Sequence, residues 1–115
     1  CLHVVELFKE SNLDENLIEI VDLNTLSPLD KKTILQSVKK THKAIIVHEA
    51  PLSSGFGSEI VATICEDEET FSLLEKPIIR ICGKDLPIPF SPVLEKSVVP
   101  IESEIFNKVK KLLEL

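Results

Sequence analysis

The apolar positions of this chain fall into two periods, and the switch between them marks out its elements. Short unalternated runs rich in β-branched residues occur at Ala44, Ile45, Ile46 and Val47, and again at Ile78, Ile79 and Ile81. Such runs predict strands buried on both faces. Residues 17–23, with Ile18, Ile20 and Val21, predict a third strand, and Asp22 lies near its carboxyl end. Elsewhere the spacing is helical. Leu2, Val5, Leu7 and Phe8 give an imperfect helical face over residues 1–9, which Ser11 and Asn12 can stop. Ile34, Leu35 and Val38 give a second, and Ile60, Val61, Ile64 and Cys65 a third. Ile101, Ile105, Val109, Leu112 and Leu113 form an apolar stripe on a last helix opened by Pro100. The predicted order is helix, strand, helix, strand, helix, strand, loop, helix. Alternation at this spacing implies parallel strands joined by right-handed crossovers, with helices on both faces. The expected fold is therefore α/β, three layers deep, with a mostly parallel sheet in a single domain over residues 1–115.

The stretch over residues 43–60 organises the rest. Burying Ile45, Ile46 and Val47 gains about 1.5–3 kcal/mol each, against a backbone ordering cost of roughly 1–2 kcal/mol per residue. Such a strand needs neighbours at both edges and cover on both faces. Pro51 is expected to block regular structure, and Ser53, Ser54, Gly55 and Gly57 supply turn chemistry before the helix. Ligands and partners of an open α/β sheet meet the carboxyl ends of its strands. His48 and Glu49 sit at such an end and are the first candidates for contact.

Connections carry their own signals. Residues 25–30 read as a link in which Pro28 fixes a backbone angle and Asp30 caps the next helix. Lys39 and Lys40 in that helix's last turn complement its dipole. Glu66, Asp67, Glu68 and Glu69 would be poorly placed at a helix carboxyl end, so the helix either stops sooner or carries them into solvent. Residues 85–92 contain Pro87, Pro89 and Pro92, which exclude a ladder or a helix interior. An extended segment over one end of the sheet is expected there, held down by Phe90.

Composition narrows the function. A net charge of −6 argues against nucleic acid as a partner. No apolar run approaches the roughly 18 residues of a membrane-spanning helix. Three cysteines, Cys1, Cys65 and Cys82, with no Cys-x-x-Cys, argue against a disulfide framework and a structural zinc site. The start at Cys1 without Met is expected of a fragment. A catalytic site needs a nucleophile, a base and an orienting group. The chain lacks a Gly-x-Ser-x-Gly elbow, a P-loop and a Gly-x-Gly-x-x-Gly. Ser53 or Ser54 could serve as nucleophile only with a histidine folded alongside, from His3, His42 or His48. Gly55-Phe56-Gly57 at a helix start could hold an anion through its N–H groups, although a tight turn explains it as well.

Three blocks then resemble a known family. They are Val21-Asp22-Leu23 with Leu26-Ser27-Pro28-Leu29-Asp30; Val47-His48-Glu49-Ala50-Pro51 with Gly55-Phe56-Gly57-Ser58-Glu59-Ile60; and Gly83 with Asp85-Leu86-Pro87-Ile88-Pro89-Phe90. In this order and spacing they look like the C-terminal, transketolase-type domain of the β subunit of thiamine-diphosphate-dependent 2-oxo acid dehydrogenases. The wording His48-Glu49-Ala50-Pro51 leans toward the branched-chain enzyme over the pyruvate enzyme.

The resemblance implies part of an enzyme that decarboxylates a 2-oxo acid and acylates a lipoyl group on a second component. It implies thiamine diphosphate and Mg in the whole enzyme, held by the α subunit and the N-terminal β domain, with no catalytic, cofactor-binding or metal residue in this fragment. The expected partners are an α subunit, a second β subunit and the second component's binding domain. His48, Glu49, Gly55, Phe56, Gly57 and Asp85 are the interface candidates. The expected compartment is the bacterial cytoplasm or the mitochondrial matrix. A transketolase or related synthase, and a free-standing interaction module, are the alternatives. Three departures stand out. Ser54 replaces the first of two glycines, residues 66–70 look slightly longer than usual, and the family's first parallel strand, which would precede residue 1, is missing. Without that strand the sheet is expected to show an unpaired edge.

Overall fold

The computed structural model describes residues 2–14, 17–85, 93 and 99–114. Its elements in chain order are α1 (Leu2–Glu10), α2 (Lys31–Thr41), β1 (Ile45–Pro51), α3 (Phe56–Glu66), α4 (Glu68–Leu73), β2 (Ile79–Gly83) and α5 (Glu102–Leu113). The α/β class and the parallel pairing expected from the alternation are both present. β1 and β2 run parallel, with Ile45 opposite Ile79, Ile46 opposite Arg80 and Val47 opposite Ile81.

The period-two alternation of the strands sorts side chains to opposite faces. Ile46 packs with Ile34 and Val38 of α2 and with Ile60 and Ile64 of α3. Ile45, Val47, Ile79 and Ile81 pack on the other face against Val4 and Phe8 of α1 and Ile105 of α5. The Phe8 and Phe106 rings meet edge to face with centroids 5.1 Å apart. The sheet is thus covered on both faces, and Ile105, Val109 and Leu113 of the α5 stripe are core packing, as the spacing predicts, whereas Ile101 precedes the helix and stays 48% exposed.

Helix ends follow local chemistry. The Asp30 carboxylate accepts from the Thr33 N–H at 3.1 Å and from its hydroxyl at 2.6 Å, closing the front of α2. His42 ends that helix in the left-handed region and donates its N–H to the Val38 carbonyl at 2.7 Å. The acidic run is resolved by a break. α3 stops at Glu66, and Asp67 caps a new helix by accepting from the Thr70 N–H at 3.0 Å. Glu68 and Glu69 therefore lie in a first turn, where negative charge suits the dipole, and Lys39 reaches Glu69 at 2.8 Å.

Two expectations need correction. Pro51 does not exclude the strand: β1 continues to Pro51, with its register against β2 shifting between Val47 and Pro51. Proline's missing donor is tolerated at such an irregular strand end. The larger correction concerns residues 17–23. Residue 17 is in a short 3₁₀ turn and residues 18–23 belong to no strand. A strand is defined by its ladder, and among the described residues nothing pairs with this segment.

A groove of about 780 Å³ separates residues 19–23 from residues 43–48. Its walls include the core residues Ile34, Val38, Ile46, Ile60 and Ile64. Leu2 and Ile20, which also line it, stay 73% and 39% exposed. Among the described residues β1 is hydrogen-bonded to β2 on one side only, and the groove runs along its other edge. With two strands, β1 and β2 each leave one edge unpaired among the described residues. The extended segment over residues 85–92 and the packing of Phe90 fall largely outside the described residues. Only Asp85 at its start is described.

Candidate functional site

Three chain segments converge beyond the carboxyl ends of β1 and β2. The first is the end of β1 with His48 and Glu49. The second is the loop from Leu52 to Gly55 with the start of α3. The third is the end of β2 with Cys82, Gly83 and Asp85.

His48 projects from β1 onto the same face as Ile46 and meets the start of α3. The Gly57 N–H donates to its Nε2 at 3.0 Å, and Cys82 Sγ lies 3.3 Å from the same nitrogen. A side chain at position 57 would collide with the ring: an added Cβ would sit 2.2 Å from Nε2. Gly57 is therefore glycine because the imidazole occupies the place of a side chain. A nitrogen that accepts from an N–H carries no proton, so in the neutral ring the proton is on Nδ1. Nδ1 is buried and has no hydrogen-bond partner among the described residues. A buried donor left unpaired costs about 1–3 kcal/mol.

The loop is held from both sides. Asp85 accepts from the Ser53 N–H at 2.9 Å and from the Ser53 hydroxyl at 2.6 Å. Arg80 donates to the Leu52 carbonyl at 3.0 Å and to the Ser58 hydroxyl at 2.8 Å. Ser54, the residue that departs from the paired glycines, has φ of 57°. This left-handed backbone favours glycine and accounts for the glycine usual at that position. Glu49 is exposed on the rim. Phe56 is half-buried against the α2–α3 core, so its ring mainly anchors the helix start.

Of the six candidates, His48, Gly55, Phe56 and Gly57 come together around the start of α3, and Asp85 joins them through Ser53. Glu49 lies beside them, facing outward. Sequence reasoning missed Arg80, Cys82 and Ser58 as parts of this site. A β-strand arginine gives no local sign of its target, and Cys82 is 34 positions from His48.

The chemistry available here is limited. Burial pushes the Cys82 thiol up, away from the reactive thiolate. The Ser53 hydroxyl is committed to Asp85, and the His48 ring to Gly57 and Cys82, so serine and histidine do not form a nucleophile–base pair. The Gly57 N–H at the start of α3 is taken by His48 and is not free for an anion. The space facing Gly55 holds the Pro51 carbonyl, and that facing Gly57 holds His48. Among the described residues no three histidine, cysteine or carboxylate side chains group as metal ligands. No helix among them is long and apolar enough to cross a membrane.

The Ser53 hydroxyl, followed by the Ser53 N–H, holds the Asp85 carboxyl below its ordinary value of 3.8. A depressed carboxyl stabilises the fold above its unfolded value, and that contribution is lost as pH falls through the lower, folded value. The Ser53 amide shift, followed by NMR, is expected to titrate with a midpoint below 3.8, and Asp85→Asn to abolish the transition. A midpoint at or above that value would show that the clamp is not formed.

The chain is thus an α/β domain with helices on both faces of its sheet and loops gathered at the strand carboxyl ends. The transketolase C-terminal domain model matches residues 1–105, and the chain belongs to that family. It is 39% identical over 111 residues to the pyruvate dehydrogenase E1 component subunit beta of Rickettsia felis, a match spanning 96% of this chain and 32% of that protein. It is 45% identical over 93 residues to the mitochondrial 2-oxoisovalerate dehydrogenase subunit beta of Dictyostelium discoideum, spanning 81% of this chain and 24% of that protein. The mitochondrial 2-oxoisovalerate dehydrogenase subunit beta 2 of Arabidopsis thaliana is 44% identical over 92 residues, 80% of this chain and 25% of that one. The chain thus spans about a third or less of the length of these relatives.

Proposed function

We propose that this chain is the C-terminal domain of the β subunit of a 2-oxo acid dehydrogenase first component, and that it serves assembly and docking. The observation that carries the reading is the groove beside β1, in a chain that matches only about a third of a pyruvate dehydrogenase β subunit. In a parallel α/β sheet each strand leads through a crossover helix to the next. A strand placed before α1 and lying between residues 18–23 and β1 would pair both, close the free edge and cover the apolar walls.

The whole enzyme, on this reading, decarboxylates pyruvate or a branched-chain 2-oxo acid on thiamine diphosphate and passes the acyl group to a lipoyl arm. This domain supplies no group to that chemistry. It packs against an α subunit and a second β subunit, and its carboxyl-end rim, with Glu49 outward, helps receive the second component's binding domain. The compartment follows the relatives: bacterial cytoplasm or mitochondrial matrix. A transketolase or synthase would share the fold, but the β-subunit names and 35–47% identities of the eight relatives support the dehydrogenase.

The test is capture. The longer β polypeptide, mixed with its α subunit, is expected to form a stable assembly that retains the binding domain, with retention weakened by Glu49→Ala. A β polypeptide that stays alone and ignores both partners would overturn the proposal.

A further inference from the structure

His3 and Glu102 stand 99 positions apart, yet the His3 Nδ1 lies 2.7 Å from a Glu102 carboxylate oxygen. The pair joins the first turn of α1 to the first turn of α5. Apolar packing between these helices begins one residue further on, at Val4, and continues through Phe8, Ile105 and Phe106. Leu2, beside His3, is 73% exposed, so burial does little to hold the opening turn of α1. The helix dipoles act differently on the two partners. A carboxylate in a first turn is favoured by its own helix, and a cation there is not. α5 thus favours a negative Glu102 by itself, whereas α1 disfavours a positive His3 and leaves it to rely on neighbouring carboxylates.

We propose that His3 and Glu102 form a pH-sensitive latch that seats the opening turn of α1 on the opening turn of α5, closed while the imidazole carries its proton and loosened once the proton leaves. On the reading of a longer β polypeptide, that turn is where the preceding chain enters the domain; the latch itself involves only residues of this chain. The Glu102 hydrogen bond, then the Glu102 charge, then Glu6 one turn along α1 raise the imidazole above its ordinary value of 6.5, while desolvation and the positive amino terminus oppose them. The groove that His3 lines also carries Glu19, Asp22, Lys43 and His48, with Glu19 held by Lys40 at 2.8 Å. A group raised in this way stabilises the folded arrangement fully below its unfolded value, and that contribution is lost as pH rises through the folded value. The latch therefore loosens above 6.5, inside the range where histidine acts as a switch. Both side chains are exposed, at 68% and 57%, so the effect is a modest change in local opening and leaves the rest of the fold in place.

The test follows hydrogen exchange of the α1 amides in the longer β polypeptide at about pH 5.5 and about pH 8.5, on either side of the histidine range. Proteins are compared at the same pH, so that intrinsic exchange cancels. His3→Lys keeps a cation at both values, and His3→Gln keeps a polar side chain without charge. Wild type is expected to match His3→Lys at the lower pH and His3→Gln at the higher, the two levels differing about two- to fivefold, the span of an exposed ion pair. By NMR, the His3 titration midpoint is expected to lie above 6.5 and to fall in Glu102→Gln, a response that a merely structural contact would not give. Wild type that exchanges like one variant at both pH values, two variants that exchange alike, or a midpoint unmoved by Glu102→Gln would each overturn the latch.

Discussion

Replacing Phe8 by alanine is expected to remove about 3–5 kcal/mol of stability, the largest single loss this chain can suffer from one side chain. Phe8 is fully buried on the face of the sheet where α1 and α5 meet. Its ring lies edge to face with Phe106 and packs in a cluster with Val4, Ile81 and Ile105. Truncation forfeits the transfer of a large apolar surface and leaves a hole that stiff neighbours such as Ile81 and Ile105 fill poorly. Domains are held by only about 5–15 kcal/mol, so the loss is a large share of the total. Urea unfolding is the check, with the midpoint falling and the slope little changed. A loss below about 1 kcal/mol, the usual bound for tolerated swaps, would mean that α1 is not docked as described. Phe8→Leu, which keeps most of the buried surface, is expected to lose much less.

Gly83→Ala is the second. An added Cβ would lie 2.2 Å from the Glu49 carbonyl oxygen and 3.2 Å from that of Ala50. Both obstacles are backbone, so no side chain can swing aside, and β1 and β2 must separate at their carboxyl ends. Overpacking of this kind costs about 1–3 kcal/mol. The Gly83 carbonyl also accepts from the Leu52 N–H at 3.1 Å. Moving it therefore disturbs the loop that Asp85 clamps two residues further on. The expected result is a lower unfolding midpoint together with faster exchange of the Leu52 and Ser53 amides. Lys84→Ala, at an exposed neighbour, is the control and is expected to change neither.

The contrast between these positions shows what the chain order discloses. Hydrophobic period was enough for α1, α2, α3, α5 and both paired strands, because each buries its own apolar face. The placement of the core followed from it, with Ile46 on one face of the sheet and Ile45 and Val47 on the other. The division of α3 from α4 was less legible. It depends on Asp67 turning back to cap Thr70, a local hydrogen bond set inside a run of acids that otherwise reads as uniform solvent exposure. Residues 17–23 have the composition of a strand, yet strand formation depends on a neighbour to pair with, and composition does not report that. The Ser53–Asp85 clamp joins residues 32 positions apart, and only the fold brings them together. The contact of His48 with Gly57 had a fainter signal: a histidine at a strand end followed by a Gly-x-Gly that opens a helix.

These residues give the domain a consistent physical role. Its helices and paired strands form a body closed on two faces. Its rim is tied together by Arg80, Asp85 and His48. Among the described residues, the open side lies along one strand edge of β1.

The most direct measurement is 2-oxo-acid-dependent release of carbon dioxide by the longer β polypeptide, assayed alone and with its α subunit, in the presence of thiamine diphosphate and Mg²⁺. The account predicts release from pyruvate or a branched-chain 2-oxo acid only when both subunits are present and assembled. An assembly that forms but releases nothing from either class of substrate would contradict it.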